Sequence, residues 1–521
     1  MQGMKKGLQG AAVILLACAM LLAACGKSTN GDSKANAPAA DSGTENQTVN
    51  AASDNAGEEP AEPELEPYVV QLMYPGSPQK DEQAVEAEMN KILQDKINAT
   101  IDIQPIDWGA WGDKTNLIFA SGDKADLIFT ASWNGYGQNA AKGAYVELTD
   151  EMMQKFAPDV LAGINPLVTN AYKVNGKLYA VPTNKELAAN AGLLIRKDIA
   201  DKYGMDLSGV KSLKDMEPFF KLVKEKEPDM VPLYMNSGNY VAEYIADFDA
   251  MGDNNIPGGI QPVSGSTKVE EFINIPENLE NIKTTRDFYL KGYINKDANT
   301  TKTGPYDALK ANKAFAYVSG LKPGKDKEVE KDAKIPMTQI AFGPPVITSG
   351  SATSAALAIS KTSENPERAL MVANLLHTDK QLLNLLVFGI EGKHYTKVSD
   401  NIIEMTADSG NYSPGNNWMI GNQLLNYLTK EEDPQKWEQY AKFNESAKPS
   451  PALGFTFDSE AVKNEKTQLN NVRGQYIPAI MSGSVDPDKY IPQYLEKLKA
   501  AGIEKVMAEK QKQLDAFLAG K

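Results

Sequence analysis

The chain has 521 residues, a formal net charge of −14 and a sequence pI of about 4.9. Such an acidic balance disfavours nucleic acid as a partner and charge-driven adhesion to anionic lipid. The only cysteines, Cys18 and Cys25, lie in the first 25 residues. Downstream of them no disulfide, cysteine metal site or thiol nucleophile can form.

Lys5 and Lys6 precede an apolar run from Ala11 to Ala24 that is too short to span a bilayer as a mature helix. The run ends in Leu22-Ala23-Ala24-Cys25, which resembles a lipobox, the cut site at which bacterial lipoproteins lose their leader and gain lipid on the cysteine. Residues 1–24 are therefore expected to be a signal peptide. Cys25 is expected to be the lipidation site, holding the protein on the extracellular face of the cell membrane through its lipid alone. Residues 25–67 are nearly all small or polar, with Val49 and Leu65 the sizeable apolar side chains. They cannot bury enough surface to fold and read as a tether with an end-to-end distance on the order of 35 Å. The leader carries +2 and residues 26–67 carry −7, which leaves −9 on the remainder. That remainder, roughly 450 residues, exceeds what one core usually serves, so two lobes are expected.

Folded sequence begins at Tyr68. Tyr68–Tyr74 reads as a buried strand stopped by Pro75-Gly76-Ser77-Pro78. Val85, Met89, Ile92 and Leu93 then follow helical spacing, Thr100–Ile106 alternates as a second strand, Trp111–Ser121 is helical, and Asp126–Thr130 is a third strand. Strands alternating with helices predict an α/β fold with a parallel sheet, whose ligands sit at the carboxyl ends of the strands. Here those ends hold Tyr74, Trp108, Trp133, Asn134 and Tyr136. Gly135-Tyr-Gly137-Gln-Asn-Ala140 matches a dinucleotide fingerprint, but it starts five residues beyond Thr130 and follows the third strand rather than the first. It reads as a turn before a helix, and no cofactor is expected.

Gly122-Asp-Lys-Ala-Asp126-Leu-Ile-Phe, Lys142-Gly-Ala-Tyr-Val-Glu-Leu148 and Asn175-Gly-Lys-Leu-Tyr-Ala-Val-Pro182 follow in order. Together they resemble the family 1 extracellular solute-binding proteins of ABC importers, the group that includes maltodextrin binders. The resemblance implies a two-lobe, type II periplasmic-binding-protein fold with a ligand cleft between lobes joined by hinge crossovers. The first lobe would comprise 68–182 and the second 183–345, entered by the strand Ala191–Arg196. The chain would return to the first lobe over 346–400, through Ser354–Ser360 and the helix to Leu376. Leu386–Tyr395, Trp418–Leu424, Gly454–Asp458, Ser484–Tyr490 and Ala501–Gln511 resemble a lipid-anchored, LipO-like subgroup. Its members end in a helical region, here 401–521, expected to pack mainly on the second lobe. One departure concerns the maltodextrin binders' tryptophan after the third strand. It corresponds roughly to Thr130, while Trp133 lies three residues on.

In the second lobe, Ser208–Lys224 is predicted to be an amphipathic helix with Ser212 as N-cap and Asp215 three residues later. Met251–Thr267 and Lys322–Lys334 read as exposed loops. Asp247, Asp249 and Asp253 lack EF-hand spacing and are expected on a solvated loop edge, with calcium binding as the alternative; no metal ligand is assigned. Leu495, Leu498, Ile503, Val506, Met507, Leu514 and Leu518 support one or two amphipathic helices near the C-terminus.

No G-x-S-x-G, P-loop or H-E-x-x-H motif occurs, and His377 and His394 are the only histidines. His377 is expected in a helix core or end, and His394 in a loop with a binding or structural role. The reading is a non-enzymatic receptor, monomeric, that captures a small polar solute, an oligosaccharide by preference, and delivers it to permease subunits. A tethered carbohydrate-active enzyme, which would need two placed carboxylates, and a peptide receptor of the same fold are the alternatives. Sugars are held by aromatic faces and convergent polar groups. To the strand-end residues above this adds Asn184, Glu186, Tyr234, Asn417 and Trp418. The interval from Gly176-Lys177-Leu178 to Glu186 matches the one leading to a ligand-binding glutamate in maltodextrin binders. Hinge crossovers are expected near Pro182–Asn190 and Gly343–Ser354.

Overall fold

Two five-stranded sheets, each wrapped by helices, organise the protein. The computed structural model describes residues 65–252 and 256–520; the lipobox, Cys25 and most of the expected tether lie outside the described residues.

The first sheet has the order Ala99–Ile106, Tyr68–Pro75, Leu127–Thr130, Ala356–Ile359, Ala180–Pro182. The first three strands run parallel, and Ala356–Ile359 is antiparallel to both neighbours. Ala356 pairs with Thr130 on one side and Pro182 on the other, so the ends of four strands and the start of the fifth share one edge. The strands are apolar because helices cover both faces. Val70, Leu72, Leu127 and Phe129 are buried with Leu93, Leu370 and Leu386 from helices Glu82–Ile97, Pro366–Thr378 and Lys380–Phe388. Asp126 gives the Gly122–Phe129 motif a structural reason. Its buried carboxylate accepts the Tyr68 hydroxyl at 2.8 Å, the Gln71 N–H at 3.0 Å and the Ser363 hydroxyl at 2.5 Å.

In the second sheet the order is Lys448–Pro449, Met337–Ile347, Ala189–Arg196, Ala314–Leu321, Val231–Leu233. Ala189–Arg196 is antiparallel to both long neighbours, which brings its start beside Leu321 and Val346 at one edge. Gly192 sits in this central strand because an added Cβ would lie 2.0 Å from the Ile340 carbonyl oxygen.

Several loop and cap expectations are corrected. Lys325–Ala333 is a helix, with Gly324 and Lys334 in the left-handed region at its ends. Its charges suggested solvent, but Val329 is fully buried. The stretch from Met251 contains the hairpin Gly259–Gln261/Ser266–Glu270, with Met251 and Ile260 buried. The turn residues of this hairpin hid strands too short to show alternation. Asp247 receives the Val263 and Ser264 N–H groups. Asp249 is buried, not solvated, and accepts the N–H groups of Met251 and Ser349 and the Ser349 hydroxyl; Asp253 lies outside the described residues. In the second lobe a helix begins at Glu217 rather than Ser208, after a 3-10 turn, and Asp215 reaches back to the Ser212 N–H.

Residues 401–430, expected in the helical C-terminal region, instead form short strands and turns, and Tyr412, Met419 and Ile420 join the first lobe's core. Helices Lys463–Met481, Pro487–Ala500 and Ile503–Ala519 pack with Tyr240, Phe272 and Ile282 of the second lobe. Lys510 is fully buried and donates to the carbonyls of Ala250 at 3.1 Å and Gly258 at 2.6 Å.

A tryptophan platform and a polar cleft between the lobes

The shared edge of the first sheet positions three indoles. Trp108 follows strand Ala99–Ile106, and Trp133 lies in the 3-10 turn Ser132–Asn134 after strand Leu127–Thr130. Trp418 arrives from the C-terminal part of the chain. Trp108 stacks on Trp133 at 6.1 Å between centroids and on Trp418 at 6.4 Å, with planes 26° and 10° apart. Phe129 supports Trp418 from below, edge to face at 5.9 Å. Trp108 and Trp133 are 50% and 51% exposed, which leaves apolar ring surface open to a partner. The Trp133 indole N–H donates to the Ser354 carbonyl at 3.0 Å, fixing the ring to a connection between the lobes.

Beside Trp418 opens a cavity of 660 Å³ whose walls come from both lobes. Glu186 lines it, with Oε1 3.2 Å from Lys185 Nζ and 3.2 Å from Lys322 Nζ. Lys322 follows strand Ala314–Leu321 and also reaches Glu328 at 3.1 Å. Lys436 pairs with Glu432 at 2.6 Å and Glu328 at 3.4 Å, and Tyr440 donates to Glu328 at 3.3 Å. Burial alone would raise the Glu186 carboxyl, but Lys185 and Lys322 outweigh it and hold the group below its usual range. Burial likewise opposes ionisation of Glu328, and Lys322, Lys436 and Lys325 bring it down to about 2.

The expected site residues divide into two groups. Trp108, Trp133 and Trp418 come together, with Glu186 and Asn417 on the adjoining cavity wall. Tyr74, Tyr136 and Tyr234 belong instead to cores. Tyr74 is 1% exposed at the end of its strand, Tyr136 donates to the Tyr172 carbonyl, and Tyr234 donates to the Thr303 carbonyl. A side chain one position off the edge points into the sheet's packing layer, and strand-end position alone did not reveal this. Asn134 accepts the Ala131 N–H and closes its own turn. Asn184 donates to Asn422, tying the first crossover to the C-terminal segment.

The crossovers meet near this site. Thr183 N–H donates to the Ala355 carbonyl, and Ser450 N–H to Ile347. A third connection, through helix Lys436–Ser446, was absent from the sequence reading. Its Asn444 accepts the Leu187 and Ala188 N–H groups and donates to the Lys185 carbonyl. Sequence reasoning also missed Lys322, Gln423, Asn426 and Lys436. The run of amides at Asn416, Asn417, Asn422, Gln423 and Asn426 around Trp418 was a usable signal.

A second cavity of 480 Å³ contains Gly135, Gly137 and the Gly454–Asp458 segment. Gly135, at φ +88°, ends the 3-10 turn ahead of helix Tyr136–Ala141, so the dinucleotide-like glycines serve that turn. The histidines are both buried. His394 Nδ1 accepts the Ile390 N–H, so Nε2 carries the proton and donates to Asp81 at 3.0 Å.

A family model described as bacterial extracellular solute-binding protein matches residues 77–381, and a domain of unknown function (DUF3502) matches residues 451–519. A carbohydrate ABC transporter substrate-binding protein of Streptococcus pneumoniae is 36% identical over 447 residues, 84% of this chain and 88% of its own. The crystal structure of an N-glycan transport solute binding protein from Streptococcus pneumoniae superposes with a TM-score of 0.81 at 34% identity, covering 87% of this chain and 99% of that one. Its complex with Man5GlcNAc superposes with a TM-score of 0.71 at 34% identity, covering 88% and 99%. By the extent of these matches, the chain belongs to the bacterial extracellular solute-binding protein family.

Proposed function

We propose that the protein captures an oligosaccharide between its lobes and delivers it to the permease of an ABC importer, while lipid on Cys25 holds it at the outer face of the membrane. The observation that carries the reading is the tryptophan platform beside a polar cavity walled by both lobes. Sugar C–H faces pack on indole rings, and the hydroxyls around them require fixed polar groups such as those of the cavity. The carbohydrate and N-glycan functions of the Streptococcus pneumoniae relatives support the same class of solute.

Binding without turnover fits the electrostatics. Glycoside hydrolysis needs a carboxyl that holds its proton near neutral pH. Desolvation of the half-buried Glu186, Glu328 and Glu432 in the cavity favours the neutral acid, yet their lysine partners hold each below its usual range. They are built to stay ionised. Titration calorimetry over a panel of oligosaccharides, with reducing-end release followed in parallel, tests the proposal. Stoichiometric binding with no release is expected; turnover of the bound glycan would replace the receptor reading with an enzymatic one.

A further inference from the structure

Three Asn-Gly dipeptides occur in the chain, Asn30-Gly31, Asn134-Gly135 and Asn175-Gly176, and the first lies outside the described residues. An asparagine before glycine cyclises readily, because no side chain shields the backbone nitrogen that follows it. The two described copies have opposite surroundings.

Asn134 closes the 3-10 turn that carries Trp133. Its Oδ1 accepts the Ala131 N–H at 3.0 Å, and the Gly135 N–H donates to the Ser132 carbonyl at 3.3 Å. Both groups that would have to react are thus engaged elsewhere. Breaking the two bonds first slows cyclisation by at least about tenfold.

Asn175 and Gly176 form the turn between strands Lys173–Val174 and Lys177–Leu178, in which Val174 pairs with Lys177. Their φ values are +52° and +78°, and a two-residue hairpin turn with both φ positive favours Asn-Gly. Both residues are exposed. Neither the Asn175 amide nor the Gly176 N–H has a hydrogen-bond partner among the described residues.

We propose that Asn175 is a site of spontaneous deamidation, and that the turn around Asn134 protects the second copy beside the tryptophan platform. The Gly176 nitrogen attacks Asn175 Cγ. The new N–Cγ bond forms as the Cγ–Nδ2 bond breaks, and ammonia leaves with the proton of the Gly176 nitrogen. Water, the sole co-reactant, then opens the cyclic imide. Addition at Cγ gives aspartate, and addition at the backbone carbonyl of residue 175 gives isoaspartate, whose backbone is longer by a methylene. Aspartate keeps the turn, since its short polar side chain tolerates the left-handed region. Isoaspartate does not, because a two-residue turn has no slack for a longer backbone. Val174 and Leu178 on either side are buried in the first lobe's core, and the Leu178 carbonyl accepts the Leu148 N–H. Isoaspartate at the turn therefore loosens the hairpin that leads into strand Ala180–Pro182 of the first sheet.

The test incubates the mature chain in mildly alkaline buffer, beside a sample held unfolded in denaturant, and maps both by peptide mass spectrometry. In the folded protein, conversion at Asn175 is expected to be at least about tenfold faster than at Asn134, and the two rates should converge in the unfolded sample. Isoaspartate should accumulate at position 175, and the aged protein should melt below the fresh one. Asn175→Asp, measured fresh, should melt with the fresh protein, and Asn175→Gly, which retains the turn, should age without that loss. Equal conversion at the two sites of the folded protein, or faster conversion at Asn134, would overturn the protection. No conversion at Asn175 in the folded chain, while it proceeds in the unfolded one, would overturn the site. An equal loss of melting temperature in aged Asn175→Gly would overturn the link between this turn and stability.

Discussion

Trp108 and Trp418 lie nearly parallel, 10° apart with centroids at 6.4 Å, although they come from opposite ends of the folded chain. Their contact joins the edge of the first sheet to the polar segment that walls the cavity. Trp108 is half exposed, so its free face is surface that a sugar can cover. Trp108→Ala should therefore weaken glycan binding by about 1–2 kcal/mol, roughly tenfold, with little change in unliganded melting temperature. Trp133→Ala should do the same by a different route, since loss of the indole also frees the Ser354 carbonyl it ties down. Trp418→Ala removes contact with Phe129 as well and should lower both affinity and stability. Calorimetric titration beside thermal unfolding separates the three. A large drop in stability for Trp108→Ala with affinity intact would place that ring in a core and remove the platform.

Closure is expected to accompany binding. Three connections run between the lobes, and the Ser349–Asp249 bonds are confined to one of them. Small-angle scattering should show a smaller radius of gyration at saturation with glycan, as for hinge closure around a ligand. An unchanged radius would count against a moving hinge.

The parts of the fold legible in the sequence are those with local causes. Strand Tyr68–Pro75, helix Glu82–Ile97 and strand Leu127–Thr130 follow from period and punctuation within a few residues. The indoles could be named as candidates because they follow strands or sit among amides. The ion cluster was not legible. Lys322, Glu328 and Lys436 stand in polar stretches that read as solvated faces, and only the fold brings them onto Glu186. Likewise Tyr74, Tyr136 and Tyr234 are amphipathic rings for which strand position cannot separate cleft from core.

Anchoring should depend on Cys25 alone. Cys25→Ala is expected to move the protein from the membrane fraction to the aqueous phase in detergent partitioning, with glycan affinity unchanged. Retention of the variant in the membrane fraction would show a second anchor.

Lys510 should be the main polar tie between the C-terminal helices and the second lobe. Its ammonium is buried and donates to carbonyls at residues 250 and 258. Lys510→Met keeps the aliphatic stem but leaves those carbonyls without their donor. A loss on the order of 3 kcal/mol is expected in denaturant unfolding, since hydrogen bonds to charged groups contribute about 1.5–3 kcal/mol. A loss below about 0.5 kcal/mol would mean that other donors take over the carbonyls.

Two groups should each contribute a loss of stability on acidification, and their signs can be worked out separately. His377 is buried in helix Pro366–Thr378, and desolvation lowers its pKa from 6.5 to about 4. Between those values the unfolded chain binds a proton that the native protein does not, so stability is full above pH 6.5 and falls as the pH drops toward 4. Glu328 behaves in the same direction through a different cause. Burial opposes its charge, but Lys322, Lys436 and Lys325 bring the carboxyl from 4.5 to about 2. Its contribution is present above pH 4.5 and is lost as the pH falls from there toward 2. Burial raises the Glu243 and Glu271 carboxyls, which act in the opposite sense on acidification, so each contribution is read as the difference in denaturant midpoint between the protein and its variant across the window. His377→Leu should flatten the upper step and leave the lower one. Lys322→Met should shrink the lower step and also reduce stability at neutral pH by about 3 kcal/mol, because Glu186 and Glu328 lose a buried partner. If Lys322→Met left both the neutral stability and the acid limb unchanged, the lysine would not be holding the cleft carboxylates in their ionised form.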